Sequence, residues 1–131
     1  MSSPSTTSAK SRAAVARAER AAFAARAVDA LTPLGPVVAR RMFGGHGLFL
    51  DDAMLALAFD DMLWLKSDPE TRALFEAGGA RPFVYTRQGK PVELSFLSVP
   101  PEVMADRPRL LDWGEAALRA ARRARARRAR R

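Results

Sequence analysis

The stretch Leu48-Phe49-Leu50-Asp51-Asp52-Ala53-Met54-Leu55-Ala56-Leu57-Ala58-Phe59-Asp60-Asp61-Met62-Leu63-Trp64-Leu65-Lys66 decides the fold. Two aspartate pairs, Asp51-Asp52 and Asp60-Asp61, divide it into apolar runs of strand length. Aspartate suits turns because its short carboxylate bonds the local backbone. Turns this short join only antiparallel neighbours, since a parallel crossover needs a dozen residues or more. The sequence therefore predicts one strand from Val37 through Phe43 that resumes, after a glycine interruption, at Leu48–Leu50. A second strand is predicted over Met54–Phe59 and a third over Met62–Lys66.

Downstream, Ser67-Asp68-Pro69-Glu70 reads as a helix start: Ser67 or Asp68 caps, Pro69 fits the first turn, and Glu70 meets the positive end of the dipole. Gly78-Gly79 ends this helix, with Leu74 and Phe75 as its expected core anchors. Phe83–Thr86 and Val92–Leu97 form a hairpin about Arg87-Gln88-Gly89-Lys90. Pro100-Pro101 breaks the chain, and Asp106 and Pro108 open a last helix. Its stripe is Leu110, Trp113, Ala117 and Ala121, widened by Leu111, Gly114 and Leu118.

Upstream, Ser11 to Leu31 is rich in Ala, Arg and Glu and lacks Gly and Pro, a strong helix composition. Phe23, Ala24, Ala27, Val28 and Leu31 share its apolar stripe, so the second half should dock and the first half fray or project. The element order is α-β-β-β-α-β-β-α. Its simplest packing is an α+β domain, a five-stranded antiparallel sheet with helices on one face.

The 131 residues fit one domain, divided as a disordered Ser/Thr/Pro-rich leader over 1–10, a folded unit over 11–118 and a basic tail over 119–131. The net charge of +8 sits in that tail, whose eight arginines are accompanied by no acid; the other 14 basic residues balance 14 acidic ones. The folded unit thus gives no electrostatic reason to bind nucleic acid, whereas the tail does. Without cysteine there is no disulfide framework, thiolate nucleophile or cysteine-ligated zinc, which fits a cytoplasmic setting. No apolar run reaches membrane-spanning length, and the N-terminus lacks the pattern of a secretory signal.

Gly44-Gly45-His46-Gly47, beside Arg40 and Arg41, has the glycines of an anion cradle, but it matches neither phosphate-loop nor dinucleotide spacing. A bulge or bend between strand segments accounts for those glycines better. His46, the single histidine, has no partner at recognisable spacing and reads as an exposed loop residue. The aspartate pairs read as turn chemistry rather than cation ligands. No catalytic, cofactor-binding or metal-ligating set emerges. Trp113 belongs to the core, and Trp64 either to the core or to a dimer interface. Lys66, Arg81, Arg87 and Lys90 read as solvated surface.

The tail Arg119, Arg122, Arg123, Arg125, Arg127, Arg128, Arg130 and Arg131 continues a helix with arginines on every face. It is expected to bury no stripe, to fray through self-repulsion, and to bind nucleic-acid phosphates without reading bases.

The run Arg40-Arg41-Met42-Phe43-Gly44-Gly45-His46-Gly47-Leu48-Phe49-Leu50-Asp51 resembles the TfoX/Sxy N-terminal domain family, named for a regulator of natural competence in bacteria. The likeness continues through Leu63–Asp68, Gly89–Phe96, Val99–Glu102 and Leu110–Trp113. It implies an antiparallel α+β domain and a non-enzymatic regulatory role alongside a transcription activator. Full-length regulators of that family carry a second helical domain where this chain has its arginine tail. Asp52 and Asp61 stand at turns where the family often has glycine. The leading expectation is a regulatory module that binds a transcription-related protein or itself as a homodimer, with a tail holding DNA or RNA non-specifically. The alternatives are a purely protein-binding or dimerising module with an idle tail, and an enzyme with an anion site at the Arg40–Gly47 loop.

Overall fold

A computed structural model describes residues 5–42 and 44–130. Helix α1 spans Ser5–Leu31 and is followed by a 3-10 turn over Thr32–Leu34. Four strands come next: β1 Val38–Met42, β2 Gly45–Leu50, β3 Ala53–Phe59 and β4 Met62–Lys66. Helix α2 is Arg72–Ala77, strands β5 and β6 are Pro82–Arg87 and Lys90–Ser98, and helices α3 and α4 are Pro101–Met104 and Arg107–Ala129. The helix expected from Ser11 thus begins at Ser5, inside the stretch read as leader; residues 1–4 lie outside the described residues.

The sheet has six strands, ordered β1-β2-β3-β4-β6-β5, and every pairing is antiparallel. The expectation of five fails at the glycines. They do not interrupt one strand but close a hairpin between two, with Gly44 in left-handed backbone (φ +78°) and Met42 opposite Gly45. At the aspartate pairs, Asp51, Asp52, Asp60 and Asp61 all have positive φ, the geometry of type I′ two-residue hairpin turns. Gln88 and Gly89 repeat it at the last hairpin.

Residues paired across antiparallel strands share a face. Leu48, Leu50, Ala53, Leu55, Ala56, Ala58, Leu63, Leu65 and Leu97 form the helix-side face and join the core. Against it pack Ala24, Ala27 and Leu31 from α1, Phe75 from α2, Val103 from α3, and Leu110, Trp113, Ala117, Leu118 and Ala121 from α4. Small residues on both sides, Ala56 and Ala58 against the alanines of α4, favour a close approach of helix and sheet. Phe75 anchors α2 as expected, but its neighbour Leu74 is 48% exposed. The first half of α1 lies out in solvent, from Arg12 to Ala22 apart from Ala16.

The arginine-rich segment departs most from expectation. It is not frayed: α4 continues to Ala129, and Ala120, Ala121 and Ala124 are buried. Those alanines extend the stripe of Trp113 and Ala117 at helical spacing, while the arginines up to Arg125 keep off that line. The segment thus packs on the folded unit as far as Ala124, while residues 125–130 are exposed.

Candidate functional site

Three surfaces carry the chemistry that the sequence offers. The first is the end of α4. Arg123 donates from Nε to Asp68 Oδ2 at 2.7 Å and from Nη2 to Asp68 Oδ1 at 3.0 Å, and its Nε also lies 2.6 Å from a Glu70 carboxylate oxygen. Asp68 also accepts from the backbone N–H groups of Glu70 and Thr71, while Thr71 Oγ1 accepts from the Asp68 N–H. The Asp68 side chain is 5% exposed. The hydrogen bond from Arg123, above all, holds its carboxyl below the ordinary carboxylate value. Arg123 is thereby committed to holding the helix down. Arg119, Arg122, Arg125, Arg127, Arg128 and Arg130 are exposed, and Arg131 lies outside the described residues.

The second surface is the sheet face that no helix covers. By register it carries Val38 and Met42, Phe49, Met54, Leu57 and Phe59, Met62 and Trp64, Phe83 and Tyr85, and Val92, Leu94 and Phe96. Phe83 is wedged edge-on between two rings, 4.8 Å from Trp64 and 5.5 Å from Phe59. The Trp64 indole N–H donates to the Phe59 carbonyl at 3.2 Å, fixing the ring. These side chains floor an apolar depression of about 450 Å³, lined among others by Met42, Leu57, Phe59, Phe83 and Leu94. Trp64 thus lies on the uncovered face, not in the helix-side core.

Among the described strand residues the charges on this face are basic, and Asp52 of the β2–β3 turn reaches Arg40 there. Arg40, Lys66, Arg87 and Lys90 share its register, whereas Glu93, the one acidic strand residue, lies on the other face and pairs with Arg72 at 2.6 Å. Arg40 stacks over Phe49 and meets Asp52 at 3.7 Å. The Lys66 ammonium lies 5.2 Å from the Phe96 ring centre. Burial first, then the charges of Arg128 and Arg127, push the Lys66 pKa down. Lys66 therefore lies near the basic end of α4, while Arg87 and Lys90 are solvated surface, as the sequence suggests.

The third surface is the Arg40–Gly47 region. Adjacent strand residues face opposite ways, so the register separates Arg40 from Arg41: Arg40 opposes Gly47 and Arg41 opposes His46. Met42 goes with Arg40 to the open face, and Phe43 lies outside the described residues. Gly45 and Gly47 are packing glycines. A Cβ on Gly45 would come within 2.5 Å of the Ala58 carbonyl oxygen, and one on Gly47 within 2.9 Å of Met42 and Phe49. His46 is no exposed loop residue but a half-buried member of β2. It lines a cleft of about 600 Å³ with Arg41, Gly44, Gly45 and, from α1, Arg17 and Arg20. Sequence reading missed the two α1 arginines, because they lie some twenty residues upstream of the motif.

Among the described residues no group of three or more His, Asp and Glu side chains could hold a metal ion, and no helix is long and apolar enough to cross a membrane.

Comparison with known proteins agrees with this architecture. The chain is 35% identical over 66 residues to a DNA transformation protein TfoX1 of Aliivibrio fischeri. That match spans half of this chain but only 32% of the relative. The profile of the TfoX N-terminal domain matches residues 29–121, from the end of α1 into α4, and so takes in all six strands and α4 as far as Ala121. The chain belongs to the TfoX N-terminal domain family.

Proposed function

We propose that this protein is a regulatory module of the competence type, which acts by docking a partner protein on its open sheet face. The observation that carries this reading is the face itself: aromatic and aliphatic side chains on six strands, covered by no helix among the described residues, with Arg40, Lys66, Arg87 and Lys90 on the same face and Asp52 beside Arg40. A contiguous apolar surface that no helix covers often marks a binding site. The charge decides the occupant. An acidic segment with apolar anchors would satisfy both the depression and Arg40, Lys66, Arg87 and Lys90. A second copy of this chain would set like charges against each other.

The test is a reporter of DNA-uptake genes in the native host. Tyr85→Glu and the pair Arg87→Glu/Lys90→Glu change exposed side chains and leave the core intact. Each is expected to lower reporter output at least tenfold while the thermal midpoint of the purified variant stays in place. Wild-type output from both variants would remove the open face from the mechanism.

The six exposed arginines of α4 support a second, additive role in holding nucleic acid through its phosphates. Complete neutralisation by them gives a salt slope of about −5. Removing residues 119–131 would strip Ala120, Ala121 and Ala124 from the core, so the informative variant replaces those six arginines by Gln and keeps Arg123. It is expected to lose duplex retention without losing fold.

A further inference from the structure

We infer that the cleft between the exposed half of α1 and the β1–β2 turn binds a compact phosphate-bearing small molecule. The inference rests on Arg17, Arg20 and Arg41, which lie away from the docking face; His46 and Met42 line this cleft and the open-face depression alike.

Three guanidiniums from two separate elements line one cleft, and among the described residues none of them makes an ion pair. A cleft lined by one sign of charge raises the local concentration of anions. Guanidinium is the side chain best shaped to grip phosphate oxygens in pairs. The fourth polar group is His46, whose Nδ1 is shielded from solvent and has no hydrogen-bond partner among the described residues. Buried polar atoms are nearly always bonded, and an orphan one points to a ligand or water as its partner. The volume of about 600 Å³ lies within the range of small-molecule sites.

The surroundings select a compact anion over a polymer. Immediately beside the cleft, a second depression shares Arg20 and Gly44 but is also lined by Glu19, Asp60 and Asp61. A phosphodiester backbone running past Arg20 would meet those carboxylates. A single phosphate or diphosphate group seated between Arg17, Arg41 and His46 would not. The site adds no catalytic step: it is a binding site, placed where it can fix the projecting half of α1 against the β1–β2 turn.

The experiment is a titration of the full chain with inorganic pyrophosphate and, separately, inorganic phosphate, followed by NMR of the imidazole. The chain has one histidine, so the signal is unambiguous. The imidazole resonances are expected to move saturably with pyrophosphate. Arg41→Gln and Arg17→Gln should each weaken that binding at least tenfold, while Arg125→Gln, on the far helix, should change it less than twofold. All three residues are exposed, and unchanged circular dichroism checks the fold. A linear, non-saturating response, an equal loss in Arg125→Gln, or a response to a short DNA duplex but not to pyrophosphate would each overturn the inference.

Discussion

Replacing Asp68 by Asn keeps the size of the side chain and one local acceptor but removes the charge that holds Arg123. Two charge-assisted hydrogen bonds, at 2.7 and 3.0 Å, tie α4 to the start of α2. Each such bond contributes about 1.5 kcal/mol or more when shielded. Arg123 is one-third exposed, which lowers the joint figure to about 2 kcal/mol. Asp68→Asn and Arg123→Gln should therefore each lower the unfolding free energy by about 2 kcal/mol. The double variant should cost little more than Arg123→Gln alone, because that substitution already breaks the pair with Asp68 as well as the exposed one with Glu70. Urea denaturation gives these values. Amide hydrogen exchange in residues 119–127 adds a local readout: loss of about 2 kcal/mol speeds exchange there roughly 30-fold if the clamp limits opening. The pH dependence follows from sign. The folded-state carboxyl lies below its ordinary value of 3.8, so the clamp is at full strength above that pH and is lost as pH falls through the lower, folded value. Single variants within 0.5 kcal/mol of wild type, with unchanged exchange, would refute the view that Arg123 anchors the segment.

Two further predictions test local geometry. Asp61→Gly places the residue that a type I′ turn prefers at a position with φ +57°, and should raise stability by about 0.5 kcal/mol in thermal denaturation, since aspartate already tolerates this region better than most residues. Gly78→Ala drives a methyl into the Trp113 ring and should lower stability by about 1–3 kcal/mol, with a changed near-ultraviolet circular dichroism signal from that indole.

Much of this fold is legible in the sequence wherever local chemistry and long-range packing agree. Asp51-Asp52 and Asp60-Asp61 specify hairpins by length alone, and the stripe from Leu110 to Ala121 specifies the docking of α4. The sixth strand was hidden because glycines between apolar residues suit a bulge as well as a turn; only the positive φ of Gly44 decides between them. The last helix was misread because its charge overshadowed a narrower signal. Ala117, Ala120, Ala121 and Ala124 continue the buried line, and the arginines around them sit beside it. Leu74 shows the opposite failure: an apolar residue next to Phe75 that the helix turns outward. The Arg17, Arg20 and Arg41 cleft is assembled by tertiary structure from a helix and a strand, so no sequence spacing announces it. That Arg40, Lys66, Arg87 and Lys90 share the open face likewise needs the register of strands far apart in sequence.

The central claim is that the uncovered face of the sheet receives an acidic segment of another protein. The most direct measurement is photocrosslinking in the native host with p-benzoylphenylalanine in place of Tyr85, and the same group in place of Arg122 on α4 as control, with the adduct sequenced by mass spectrometry. A cross-link from position 85, absent from position 122, into an acidic, apolar-anchored segment of a different protein is the predicted result. A cross-link into a second copy of this chain, or none from position 85, would contradict it.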